Sequence, residues 1–234
     1  MAITTRDGKG SALTHAELDT NFTDLRDGVD IQVPKTQGKG IKIDSLGTPD
    51  FGWHNLTSQI LTEAGVNEPA WVTYRGAIKQ RQFAETIDYG YLGWHIPHDY
   101  AMGTNIFVHC HWSHTGTLVT GGSVTFGYEI TYAKGHDQAA FPATTTVTVA
   151  QNASTTQYQH MIAEGAASVS GGSATQLDTD LIEPDGVILG RVFVDSNDIT
   201  VSGGGVPDPF IHFVDIYYQS TGIATKQRAP DFWT

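Results

Sequence analysis

From about residue 71 onward, apolar side chains recur at every second position. Ile106, Val108, Cys110 and Trp112 alternate with Phe107, His109, His111 and Ser113, and Val124, Phe126, Tyr128, Ile130 and Tyr132 alternate with Thr125, Gly127, Glu129 and Thr131. A period of two sends the two sets to opposite faces of a pleated strand, so each run predicts a strand buried on one side. Further runs stand at 71–78, 145–150, 157–163, 187–194 and 210–218, each bounded by Gly, Pro, Asp or Asn. Gly/Ser clusters at 121–123, 170–173 and 202–205 predict loop tips between them. About seven or eight such strands in one uninterrupted stretch predict a mainly β fold, an antiparallel jelly-roll-like β sandwich over 71–234.

The first thirty residues follow a different period. Thr14 and Glu17 stand at capping-box spacing, with Leu13 and Leu18 placed as a hydrophobic staple across the cap. Leu18, Phe22, Leu25 and Val29 then fall on one helical face, and Gly28 is a terminator. A helix this short is marginal alone in water, so its stripe must pack on something, either the chain's own core or a partner subunit. Residues 31–70 carry Pro34, Gly38, Gly40, Gly47, Pro49, Gly52 and Pro69 and predict an extended linker, with Phe51 and Trp53 as aromatic anchors within it. Three segments result: an arm and short amphipathic helix (1–30), a linker (31–70) and the β sandwich (71–234).

Composition narrows the function. Twenty-five acidic against thirteen basic residues give a net charge of −12, which argues against nucleic acid as the partner, because phosphate binding needs a basic footprint. No run approaches the roughly eighteen apolar residues of a membrane span, and the opening lacks the apolar core of a secretory signal. A single cysteine, Cys110, excludes an intramolecular disulfide framework.

His109-Cys110-His111 is the motif with metal-ligand spacing, since i and i+2 share a strand face. Gly103 ahead of it resembles the opening of a cupin metal motif. The Glu that such a motif places after the second His is missing, for Ser113, His114, Thr115 and Gly116 stand there. Parity offers the histidines company: Glu129, Arg191 and Asp215 each fall on the polar side of their runs. His109, His111, Glu129, Arg191 and Asp215 are therefore a candidate polar cluster. It would be a buried or interfacial hydrogen-bonded network, a solvated sheet face, or a ligand or metal site, in that order. Asp178/Asp180 and Glu183/Asp185, around Pro184 and Gly186, predict an acidic turn. No nucleophile elbow, P-loop or H-E-x-x-H is present. The expectation is a non-enzymatic protein with no catalytic residue, resident metal or cofactor; a metal-dependent β-sandwich enzyme is the weaker alternative.

The opening Ile3-Thr4-Thr5-Arg6-Asp7-Gly8-Lys9-Gly10-Ser11-Ala12-Leu13-Thr14-His15-Ala16-Glu17-Leu18-Asp19-Thr20-Asn21-Phe22 resembles the N-terminal segment of tailed-bacteriophage appendage proteins, such as tail, neck and head fibres. The residues Tyr217–Gly222 and Lys226–Trp233 are similar in style to small phage virion proteins. The resemblance implies a structural virion protein, a homotrimer attached through its N-terminus to neck, tail or capsid proteins and projecting its β domain. On this chain Leu13, Thr14, Glu17, Leu18, Phe22 and Leu25 would make the attachment. A head decoration protein, or a module binding a host receptor or surface glycan, is the alternative of the same class.

Overall fold

The alternating runs close into two antiparallel sheets that share one core. The computed structural model describes residues 52–221 and, ahead of them, Ala12 and residues 14–16, 31–32 and 42–43. The chain divides into two compact units, residues 1–52 and Trp53–Thr234. In the first, His15 and Ala16 are helical, and β1 (Ile31–Gln32) pairs antiparallel with β2 (Lys42–Ile43). Of the predicted attachment residues, Thr14 is exposed, while Leu13, Glu17, Leu18, Phe22 and Leu25 lie outside the described residues.

The second unit holds all but the first residue of β3 (Gly52–Ser58), then β4 (Ala70–Arg75), β5 (Ile78–Gln82), β6 (Tyr89–His95), β7 (Phe107–Ser113), β8 (Val119–Gly121), β9 (Ser123–Ala133) and β10 (Thr145–Asn152). After these come β11 (Met161–Ala166), β12 (Ser168–Val169), β13 (Leu177–Asp178), β14 (Val187–Asn197), β15 (Thr200–Val201) and β16 (Phe210–Ser220). One sheet has the order β11-β7-β16-β5-β4, with β3 also paired to β16; the other has the order β10-β9-β14-β6. Among the eight main strands, β5, β7, β11 and β16 make one sheet and β6, β9, β10 and β14 the other. In each sheet the earliest strand lies beside the latest, which is the nested order of a jelly roll. The mainly β, jelly-roll-like sandwich expected from the alternation is the fold observed.

The core forms where the apolar halves of the runs meet. Val108, Cys110 and Trp112 of β7 face Phe126, Tyr128 and Ile130 of β9 in one buried cluster, and Trp112 meets Phe126 edge to face at 5.3 Å between ring centres. Burying each such side chain is worth about 1.5–3 kcal/mol of gross transfer free energy. Burial also pushes the Cys110 thiol well above its ordinary pKa. Among the described residues no helix is long and apolar enough to cross a membrane.

Two expectations change. The sandwich starts earlier than residue 71, because β3 pairs with β16 and Leu61 exchanges both backbone hydrogen bonds with Tyr91, at 3.0 and 2.7 Å. Much of 52–70 is therefore sheet and sheet edge rather than linker. Second, the run at 71–78 is a hairpin, β4 and β5, turned at Gly76 with φ +58°. β6 corresponds to none of the predicted runs. It buries Gly90, Leu92 and Trp94 in alternation, but the glycine in that series breaks the apolar pattern.

Candidate functional site

β7 is an interior strand, hydrogen-bonded to β11 on one side and β16 on the other. Its outward side chains are buried nonetheless, His109 at 5% exposure and His111 at 7%. Register fixes their neighbours. Asp215 of β16 and Glu164 of β11 stand opposite His109, and Phe213 and Ile162 stand opposite His111. A β-bulge between Ile211 and Phe213 makes this possible: the extra residue, His212, resets the alternation so that Phe213 and Asp215 turn outward while Val214 and Ile216 enter the core.

Aromatic rings hold the imidazoles. His109 stacks on Tyr217 at 4.0 Å, and His111 lies between Phe213 at 4.0 Å and His160 at 5.1 Å. His111 Nδ1 is 2.9 Å from His160 Nε2, which leaves His111 Nε2 turned toward Asp215 Oδ1, at 3.3 Å. Asn55 of β3 donates its amide to Asp215 Oδ2 at 3.3 Å. His109 Nε2 approaches Glu164 Oε2 to 2.6 Å. Both imidazole–carboxylate contacts are close but out of line for hydrogen bonding. Both His109 nitrogens, His111 Nε2 and Asp215 Oδ1 make no well-aligned hydrogen bond among the described residues. One ligand atom each from His109, His111 and Asp215 converge within 4.8 Å. Burial pushes the His111 imidazole below its ordinary pKa, against the opposing pull of the Asp215 charge.

A second polar chain borders this cluster. The Ser113 hydroxyl lies 2.8 Å from both Tyr74 Oη and His212 Nε2, and His212 Nδ1 is 3.4 Å from Gln80 Oε1. Burial, reinforced by His160 and His111, pushes His212 down to about 4. Ser113 has no exposed surface, so this serine–histidine pair ties β4, β7 and β16 together rather than presenting a nucleophile.

The expected five-residue cluster is split between the sheets. His109, His111 and Asp215 come together as parity suggested, but Glu129 and Arg191 face each other on β9 and β14 of the other sheet. Parity gives the face of a strand and says nothing of which sheet the strand joins. Arg191 Nε contacts Glu129 Oε2 at 2.6 Å, with the guanidinium over the Tyr89 and Phe193 rings. Hydrogen bonds from Thr144 and Arg191 hold the Glu129 carboxyl below its usual range.

Sequence reading also missed a hub. Asp185, in the predicted acidic turn, has His95 and His98 at 3.2 and 2.9 Å from Oδ1 and His136 at 2.8 Å from Oδ2. Partial burial opposes ionisation there, but the His136 hydrogen bond and the nearby imidazoles win and hold the carboxyl low. The three histidines come from the end of β6, the loop after it and the loop after β9, with no spacing to connect them. Asp178 and Asp180, also of that turn, accept backbone and hydroxyl hydrogen bonds around Ser170 and Gly171 and are structural. No protein-family model matches the chain, and no curated protein matches it either.

Proposed function

We propose that the chain is a structural component of a tailed-bacteriophage particle, a short trimeric fibre-like appendage held by its N-terminal segment and presenting the jelly-roll sandwich outward. The observation that carries this reading is the order of parts. A segment similar to the phage attachment segment, Ile3–Phe22, precedes a jelly roll, an architecture used for capsid and lectin domains. Support for a multimer comes from the surface: Tyr91 and Leu189, on neighbouring strands of the four-stranded sheet, stay exposed beside exposed Leu61, and such apolar surface is commonly covered by another subunit. A second role for the same domain, receptor or glycan binding, is favoured by Trp71. Its exposed indole is held by the Arg81 guanidinium at 4.7 Å and so offers a fixed face to a sugar ring.

The test is particle assembly with the double variant Phe22→Asp/Leu25→Asp. Each substitution removes about 1.5–3 kcal/mol of apolar burial from the docking stripe. Purified variant should melt at the wild-type temperature while particles lack it, and wild-type protein should have the solution mass of three chains. Full incorporation of the variant, loss of sandwich melting, or a single-chain mass would overturn the reading.

A further inference from the structure

We infer that His109, His111 and Asp215 form a site for one divalent first-row transition cation, with zinc the best fit, that pins the two central strands of the larger sheet together. The inference does not depend on the particle-level reading.

Geometry comes first. The three ligand atoms lie within 4.8 Å of one another, and His111 Nε2 and Asp215 Oδ1 are already 3.3 Å apart. A tetrahedral zinc with bonds of about 2.0–2.1 Å holds its ligands about 3.3–3.4 Å apart. One edge of the tetrahedron therefore exists, and only His109 must close in. The set, two imidazoles and a carboxylate, is one that zinc accepts.

Orientation agrees. The far nitrogen of His111 is occupied by His160, so Nε2 is the atom turned inward; a ligating imidazole ordinarily has its other nitrogen anchored in this way. Glu164, 2.6 Å from His109 Nε2, is the carboxylate at hand either to orient that ring or to add a fourth oxygen.

Poorly satisfied groups give the independent argument. Asp215 is 1% exposed, yet among the described residues it has one hydrogen-bond donor, Asn55, and no Lys or Arg pairs with it. Both His109 nitrogens, His111 Nε2 and Asp215 Oδ1 are buried without hydrogen bonds. Buried polar atoms whose contacts are this poorly aligned are costly: His109 Nδ1 has no polar contact, and the other three meet only His–carboxylate pairs. A dication at their meeting point would satisfy the carboxylate charge and the nitrogen lone pairs together. The ligands come from directly paired residues of β7 and β16 and from a second residue two along β7, so the ion would act as a cross-strand rivet in a region closed to substrate.

The experiment uses the full chain. Protein is stripped with a chelator, then titrated with Zn²⁺ and, as a spectroscopic probe, Co²⁺, with metal content measured after gel filtration. One zinc should be retained per chain, the melting temperature should rise with zinc, and Co²⁺ should give the visible bands of a four-coordinate site. Asp215→Asn and His109→Gln, which nearly preserve volume, should weaken binding by about 100-fold or more, whereas Asp185→Asn, at the other histidine cluster, should leave it unchanged. Absence of retained zinc together with no zinc-dependent melting shift overturns the proposal. So does binding that survives both site variants, or binding lost in Asp185→Asn, which would mark zinc on the exposed histidines. If the site variants fail to fold by circular dichroism, the wild-type melting shift and the Asp185→Asn comparison decide alone.

Discussion

Asp99 and Glu129 are both carboxylates with several partners, yet their surroundings give them different weight. The Asp99 carboxylate accepts from the hydroxyls of Tyr218 and Ser220, both buried side chains, and its backbone oxygen accepts from Thr221 N–H at 2.8 Å. Removing a buried hydroxyl's acceptor leaves a desolvation cost behind, so Asp99→Ala should lower unfolding free energy by about 1–3 kcal/mol. Glu129 meets Arg191 where both side chains are partly exposed to solvent. Water competes for that pair, and Arg191→Ala should cost less than about 1 kcal/mol although its contact is as close as those of Asp99. Urea unfolding of the two variants side by side checks the order; a larger loss in Arg191→Ala would contradict it.

Among the elements, β6 shows what alternation reveals and what it hides. β7 and β9 were legible because each lies in a run of at least four apolar residues in strict alternation, Ile106–Trp112 and Val124–Tyr132, and the outward placement of His109, His111 and Asp215 followed from the same parity. β6 has inward Leu92 and Trp94, but its third inward residue is Gly90, which reads as a turn. Its reason is tertiary: a Cβ at Gly90 would stand 2.2 Å from Ile60 Cγ2, so the glycine is what lets residues 60–61 lie along the strand's open edge. No local pattern encodes a contact across thirty residues of chain, and the same holds for the three histidines that gather at Asp185. Gly90→Val should push Ile60–Leu61 off the edge, costing about 1–3 kcal/mol and leaving β6 free to pair with other chains. Faster amide exchange at Leu61 and Tyr91, with concentration-dependent aggregation, is the expected signature; unchanged exchange would show that the edge closes by another route.

For the whole molecule, acid is the sensitive variable. His212 has a pKa near 4 in the folded protein against an ordinary 6.5, so folding favours its neutral ring. Its contribution is fully present above pH 6.5, is lost as pH falls from 6.5 toward 4, and changes no further below that. Because the ring is partly solvated, the loss should be about 1–2 kcal/mol rather than the full value of the shift. Asp185 acts in the same direction at lower pH: its depressed carboxyl stabilises the fold above its ordinary value of 3.8, and this is lost as pH falls through the folded pKa. Urea midpoints should therefore be level above about pH 7 and decline between 6.5 and 4, with a shallower decline in His212→Gln. A wild-type midpoint that stays level to pH 4 would contradict this.

Asp99 also marks a place. His54, near the start of β3, comes within 3.6 Å of its carboxylate, and Ser220 and Thr221, at the end of β16, bond to the same residue. β3 pairs with β16, with His54 packed on Tyr218 and Asn55 bonded to Asp215. The chain thus comes into the sandwich and leaves it at one pole, through neighbouring strands. In connectivity the sandwich is nearly a ring, and the gap in that ring is incidental to its packing. A few residues joining 221 to 53 would close it, and the exposed glycines at 203–205 offer another place to open it with the strands left where they are.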